Sequence, residues 1–339
     1  MTAASLTVAH RSLGFVCPRC RGDVAAESDA YQCRRCDARF PVVLGIPDFR
    51  VFPDPWIGLD DDREKARRLE ERSRGASLEA MVHAYWAMTP GTPTHHAARF
   101  VQHVMTAYDR SREWLNRLDD PSPLPSGGWL DVGTGTGDLA CAAAAQGIQA
   151  VGVDIAMRWL VVARRRAELS GVAVDLVCCN AEHLPFDDAT FARVVSVGTL
   201  EHCVSANRAL SEARRVLVRG GDVRLRTVNR FTVMAEPHVG IWGVGFVPRR
   251  MADRYVRWRG GDGYAHHRPL SSRELRRGLT RGGFTSVRVE AAALLATERS
   301  RLGDLQWAAD AYERARRVPG ARTALRWTAP LLEASGVAA

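Results

Sequence analysis

Three sets of residues in this chain have types and spacings that can do chemistry. The first is Trp129-Leu-Asp-Val-Gly-Thr-Gly-Thr-Gly-Asp138, where an apolar run ends in an acid, Asp131, and then in a loop carrying Gly133, Gly135 and Gly137. Glycines turn the chain tightly and let a ligand lie on bare backbone, and the helix that follows offers free N–H groups. Asp154 ends a second apolar run, Gln149–Asp154, where a ribose diol can be gripped. The second set is Cys17, Cys20, Cys33 and Cys36, two Cys-x-x-Cys knuckles twelve residues apart. Each knuckle presents two thiolates to one tetrahedral zinc. The third set is histidine. His202 follows Glu201, His238 follows Glu236 by two residues, and His266, His267 and Arg268 form a further cluster. Histidine exchanges a proton near neutral pH, so His202 and His238 are candidate bases, with Glu236 and His238 as an acid–imidazole pair. Asn229 and Arg230 stand beside that pair to hold a substrate, while the cluster at 266–268 reads as solvated.

These residues need elements to position them. Strand patterns at 128–132, 150–154, 174–178, 191–197 and 222–228 alternate with helical patterns that start at Gly137 and at Ala156 and cover 206–218. The alternation predicts an α/β fold with a doubly wound, Rossmann-like parallel sheet and a ligand at the strand C-terminal ends. A helix over 271–280, a strand over 284–290 and a last strand over 331–337, antiparallel to the one before it, complete the fold. Insertions at 229–270, rich in Gly, Trp and Arg, and at 294–326, helical and arginine-rich, interrupt it. The expected organisation is a zinc ribbon at 1–50, a linker and helical lid at 51–125, and the ligand-binding domain at 126–339. Within the lid, 51–62 reads as linker and 62–88 and 94–118 as helices, with breaks at 89–93 and 121–128. Tyr85 and Trp86 either line the lid or pack beneath it.

The 339 residues carry a net charge of +9 that is almost wholly arginine, Lys65 being the only lysine. Such a balance admits nucleic acid, an anionic lipid surface or an acidic small molecule, and selects none of them. The sequence has no apolar run long enough to span a bilayer and no secretion signal, which predicts a cytoplasmic protein with reduced thiols. Cys141, Cys178, Cys179 and Cys203 read as small buried apolar residues. The mixed apolar and basic stretch 246–259 reads as a pocket lid or as a peripheral membrane contact.

The ordered series resembles the class I S-adenosylmethionine-dependent methyltransferases, in particular their type 11 group, over residues 128–228. Its members are the glycine loop, Gln149–Asp154, Asn180-Ala-Glu-His-Leu-Pro-Phe-Asp187, Gly198-Thr-Leu-Glu-His202 and Glu212–Gly221. The dinucleotide fingerprint Gly-x-Gly-x-x-Gly differs, because Gly137 comes one residue too early for it. The resemblance implies S-adenosylmethionine as cofactor. Asp131, Gly133, Gly135 and Gly137 would hold its amino acid end and let it pass, and Asp154 would grip the ribose, with Ile155 against the adenine. Asn180, Ala181 and Glu182 would form the adenine edge, Asn180 standing where the family often has aspartate. Gly198 and Leu200 would run below the sulfonium. The zinc ribbon resembles those that bacterial rRNA guanine methyltransferases carry for RNA recognition, and also small Trm112-like modules. The rRNA enzymes commonly end their ligand set in histidine, where this chain has Cys36.

After the fourth core strand there is no Asn/Asp-Pro-Pro-Tyr/Phe and no Pro-Cys, and the chain holds no Cys-x-x-x-Cys-x-x-Cys. An oxygen, a ring nitrogen or an activated carbon is left as acceptor atom. The leading expectation is methyl transfer to a small-molecule or lipid-linked acceptor. An rRNA or tRNA methyltransferase using the ribbon and the arginines is the alternative, and a non-catalytic cofactor-binding scaffold is the second.

Overall fold

The computed structural model of the protein describes residues 13–89, 94–118, 124–300 and 303–339. The break expected at 89–93 and part of that at 121–128 lie outside these residues. The chain divides into two compact units, Met1–Ala192 and Arg193–Ala339.

The first unit opens with a small antiparallel sheet of β1 (Val24–Ala26), β2 (Ala30–Cys33), β3 (Arg39–Val43) and β4 (Ile46–Pro47). Helices α1 (Leu59–Arg72), α2 (Leu78–Ala87), α3 (Thr94–Met105) and α4 (Ala107–Asn116) follow. The single helix expected over 62–88 is therefore two. Residues 73–77 turn the chain, and Ser77 caps α2 by accepting a bond from the Ala80 N–H. The core then alternates β5 (Gly128–Val132), α5 (Asp138–Ala144), β6 (Ala150–Asp154), α6 (Met157–Ser170) and β7 (Asp175–Cys178). β5, β6 and β7 pair in parallel, with Asp131 opposite Gly152 and Asp154 opposite Cys178. Four of the five β6 residues are buried, as a strand covered on both faces requires.

The stretch expected as a linker, 51–62, is tied into this core: the Val51 and Phe52 N–H groups donate to Asn180 Oδ1, and Asp54 and Asp62 pair with Arg158. Just before it, the Phe49 N–H donates to the Cys178 carbonyl at 2.7 Å, so 48–49 pair in parallel beside the end of β7. Behind them lies a buried ion network. Arg50 binds Asp48 at 2.7 Å and Asp62 at 2.6 Å, and Arg158 binds Asp62 at 2.7 Å and Asp54 at 2.8 Å. Burial alone would raise the Asp48 carboxyl, yet the bonds from Arg50 and Arg63 hold it below the usual carboxylate range. Tyr85 and Trp86 are packing residues: Tyr85 lies 4.0 Å from the Trp159 ring, and Trp86 lies 5.2 Å from Phe100.

The second unit holds most of β8 (Phe191–Val197), then α7 (Ala206–Val216), β9 (Leu217–Val228), α8 (Arg249–Trp258), α9 (Ser272–Arg281) and β10 (Phe284–Ala291). It ends with α10 (Ala296–Ser300), α11 (Gln306–Arg317), α12 (Pro319–Thr328) and β11 (Leu331–Ala338). A reciprocal capping box between Ser271 and Glu274 starts α9. β11 pairs antiparallel with both β10 and β9, so the last strand returns as the sequence implies. The large sheet has seven strands in the order β10-β11-β9-β8-β5-β6-β7, a doubly wound, Rossmann-like α/β arrangement. The second expected insertion is helical where described, through α10, α11 and α12, whereas the first is mostly turns and loop around one helix, α8.

Candidate active site

In the first unit the glycine loop joins β5 to α5. Gly133, Gly135 and Gly137 all have positive φ (79°, 52° and 75°), a region that disfavours any side chain. Their surroundings differ. A Cβ on Gly137 would sit 2.7 Å from the Ala163 side chain, so this glycine lets α6 pack close. A Cβ on Gly135 meets nothing within 4 Å, so its backbone faces open space. Asp154 shapes the loop: one carboxylate oxygen accepts the Gly135 N–H at 2.8 Å and the other the Ala156 N–H at 2.8 Å. Each oxygen keeps a second lone pair for a ligand hydroxyl. Asp131 is buried at the end of β5 and accepts a bond from Thr134 Oγ1 at 2.6 Å. Desolvation by burial pushes its carboxyl up to about 7, despite the Thr134 bond.

The adenine-edge residues are arranged differently from the expectation. Asn180 is fully buried, and its amide is engaged with the chain before α1: Oδ1 accepts the Val51 and Phe52 N–H groups and Nδ2 donates to the Phe52 carbonyl. An amide bound on both sides by backbone positions 51–52 instead of presenting an edge to a base. The aspartate often found there could not make the donated bond, which gives the asparagine a local reason. Ile155 is tied through its carbonyl to Arg50 at 3.0 Å. Ala181 is partly exposed, and Glu182 is buried.

The four cysteines converge in the same unit. Cys17 Sγ lies 3.6 Å from Cys36 Sγ, and Cys20 Sγ lies 3.5 Å from Cys33 Sγ. These separations are far too long for disulfides, and they approach the edge of about 3.8 Å expected for four thiolates about 2.3 Å from one tetrahedral zinc. The donor set and its size fit such an ion. The ribbon rests on the 183–187 segment through Arg21 to the Leu184 carbonyl (3.1 Å) and Phe15 against Phe186 (5.8 Å).

In the second unit Gly198 and Leu200 follow β8. Gly198 has φ 66° with open space where a Cβ would point, and its N–H binds the Arg226 carbonyl at 2.8 Å. Glu201 is buried and anchored: its carboxylate accepts Thr227 Oγ1 at 2.7 Å and the Val228 N–H, and its carbonyl accepts the Arg268 N–H. That anchoring fixes His202. His238 Nδ1 pairs with Glu236 Oε1 at 2.6 Å, and Glu236 Oε2 accepts the His238 and Val239 N–H groups. The Glu236–His238 pair expected from the sequence is therefore present. Burial lowers the tendency of His238 to protonate, but the Glu236 bond and charge outweigh it and raise its pKa. Asn229, expected to hold a substrate, instead donates to the carbonyls of Trp327 and Ala329 and so ties the end of β9 to the last turn of α12.

His267, which the sequence places in a solvated cluster, joins them. Its ring centroid lies 4.6 Å from that of His238 and 5.2 Å from that of His202, and His202 lies 4.8 Å from His238. Burial, with the two neighbouring imidazoles, pushes His267 down to about 4. No sequence signal marks it, because its partners lie in two other loops. His267 also borders a cavity of ≈ 300 Å³ lined by Arg230, Arg249, Arg250, Arg268 and Tyr264 among others.

Comparison with known proteins bears on this geometry. Residues 130–225 match the family model described as a methyltransferase domain. The chain is 30% identical over 173 residues to the ubiquinone biosynthesis O-methyltransferase of Roseobacter denitrificans, covering 49% of this chain and 70% of that one. It is 33% identical over 154 residues to the mitochondrial 2-methoxy-6-polyprenyl-1,4-benzoquinol methylase of Leishmania donovani, covering 39% and 53%. Among solved structures, phosphoethanolamine N-methyltransferase 2 of Haemonchus contortus with S-adenosyl-L-methionine is 23% identical at a TM-score of 0.46, covering 68% and 52%. The chain spans about half the length of several of the curated relatives it matches. With its motifs in order on a doubly wound sheet, the chain belongs to the class I S-adenosylmethionine-dependent methyltransferases.

Proposed function

We propose that this protein transfers the methyl group of S-adenosylmethionine to a small-molecule acceptor bearing an acidic or oxygen-rich head. Gly133–Gly137 would hold the cofactor's amino acid end and Asp154 its ribose. The acceptor's lone pair forms a bond to the methyl carbon, the carbon–sulfur pair stays on sulfur, and the acceptor loses a proton. The sulfonium is already a good leaving group, so alignment and proton removal are what the chain contributes. His238, held through Nδ1 by Glu236, keeps its other ring nitrogen for that proton, with His202 beside it.

The observation that carries this reading is the cavity of ≈ 300 Å³ bordered by His267 and four arginines. Its size falls at the small-molecule end of ligand sites, and its charge suits an acidic head. Trp242, Phe246 and Trp258 stand exposed in the same insertion, which favours an apolar tail such as a lipid-linked ring carries. The quinol acceptors in the relatives' names are of that kind. We also assign one zinc to Cys17, Cys20, Cys33 and Cys36, as a structural site that joins the ribbon's two knuckles. Among the described residues no helix is long and apolar enough to cross a membrane.

A methyl-tritium transfer screen against total cellular RNA, small-molecule extract and lipid extract tests the reading. Label in a small-molecule or lipid fraction is expected. Label confined to RNA would overturn it and return the ribbon to RNA recognition.

A further inference from the structure

We propose that His202, His238 and His267 form a second metal centre, a three-histidine site for a divalent transition ion such as zinc, with an open position toward the arginine-lined cavity. The inference rests on the acceptor site proposed above and gives its imidazoles a shared task. Three observations on separate parts of the insertion and of the loop after β8 carry it.

The first is convergence. One ring nitrogen from each of the three imidazoles lies within 4.8 Å of the others, although the residues come from three loops separated by 36 and 29 positions. Three imidazoles about 2.0–2.1 Å from one ion stand about 3.4 Å apart, so modest ring rotations close the set.

The second is the outer layer. A metal-binding histidine usually gives its other ring nitrogen to a carboxylate, which fixes the ring. His238 Nδ1 does this with Glu236 at 2.6 Å, which leaves Nε2 for the ion, so that where the ion is bound it takes over from this imidazole the task of easing the acceptor's proton loss. Glu236 is itself pinned by two backbone N–H groups and is 3% exposed.

The third is the open side. A site with three protein ligands keeps a fourth position for water or substrate, whereas a purely structural zinc is closed by four. His267 borders both the cluster and the cavity, so the open position faces the place assigned to the acceptor. An acceptor hydroxyl bound there would lose its proton more readily, because the bound ion stabilises the resulting oxygen anion. The donor set differs from that of the cysteines, so the two sites are distinguishable by spectroscopy.

Metal-free full-length protein titrated with Co²⁺ alone, read by absorption and followed by metal counting with Zn²⁺, tests this. Two equivalents are expected. One gives intense thiolate-to-cobalt absorption and is lost in Cys17→Ser/Cys20→Ser. The other gives only weak ligand-field bands and is lost in His267→Ala and in His238→Ala, with circular dichroism unchanged. Glu236→Gln, which keeps shape and a hydrogen bond, is expected to weaken only the second site, by about 10–100-fold. One equivalent in the wild type, untouched by the histidine substitutions, would overturn the proposal. Calorimetry with S-adenosylmethionine separates this from the methyltransferase reading: normal cofactor binding with one metal removes the second centre alone, and absent cofactor binding removes the reading beneath it.

Discussion

Gly135 and Gly137, two positions apart, do different work, and substitution separates them. Gly135 faces open space, so Gly135→Val puts a branched side chain where the cofactor lies, with backbone strain from its φ of 52° as the structural cost. A folded protein with S-adenosylmethionine affinity reduced at least about 100-fold is expected by calorimetry. Gly137→Val drives into Ala163, and a loss of about 3 kcal/mol or more is expected by denaturant melts. Asp131 gives a pH signature. Its folded pKa near 7 lies above the unfolded value, so the stability it contributes is full below about pH 4 and lost as pH rises through 7. Asp131→Asn is therefore expected to gain stability over wild type as pH goes from 5 to 8. In the proposed site only the ionised Asp131 carboxylate would pair with the cofactor's ammonium, so wild-type affinity is expected to fall about tenfold from pH 8 to pH 6 while the Asn variant stays flat.

At the scale of elements, the segment between the ribbon and α1 is held by charge. Arg50→Met leaves Asp48 and part of Asp62 without their buried partner, and Asp62→Asn does the same to Arg50 and Arg158. Each is expected to cost about 3–5 kcal/mol in denaturant melts, whereas an exposed pair such as Arg68 with Glu64 should cost under about 1. Little of this network was legible in advance. Asp54 and Asp62 sit in a stretch that reads as linker and Asp48 at the end of the ribbon, and their arginine partners include Arg158, about a hundred residues on. The core strands were legible because burial on both faces leaves unbroken apolar runs, as in Ala150–Val153. The cysteine site was legible because its ligands come in two local pairs. His267 was not, since periodicity says nothing about which loops meet. Asn180 carried the expected position but not the expected partner, because the chain from 51 to 52 takes its amide.

For the molecule as a whole, the net charge of +9 admits nucleic acid, but part of the arginine is spent in buried ion pairs such as those of Arg50, Arg158 and Arg193. Binding to structured rRNA that is weak and flat between low and moderate salt is expected; a steep inverse dependence would show phosphate contacts. Everything functional rests on the cofactor lying against the glycine loop. A crystal structure of the protein with S-adenosylhomocysteine tests this most directly. The adenosyl group should follow the backbone at Gly133–Gly137, with both ribose hydroxyls within hydrogen-bond distance of Asp154. Density for the nucleoside elsewhere, with Asp154 still bound only to Gly135 and Ala156, would contradict the account.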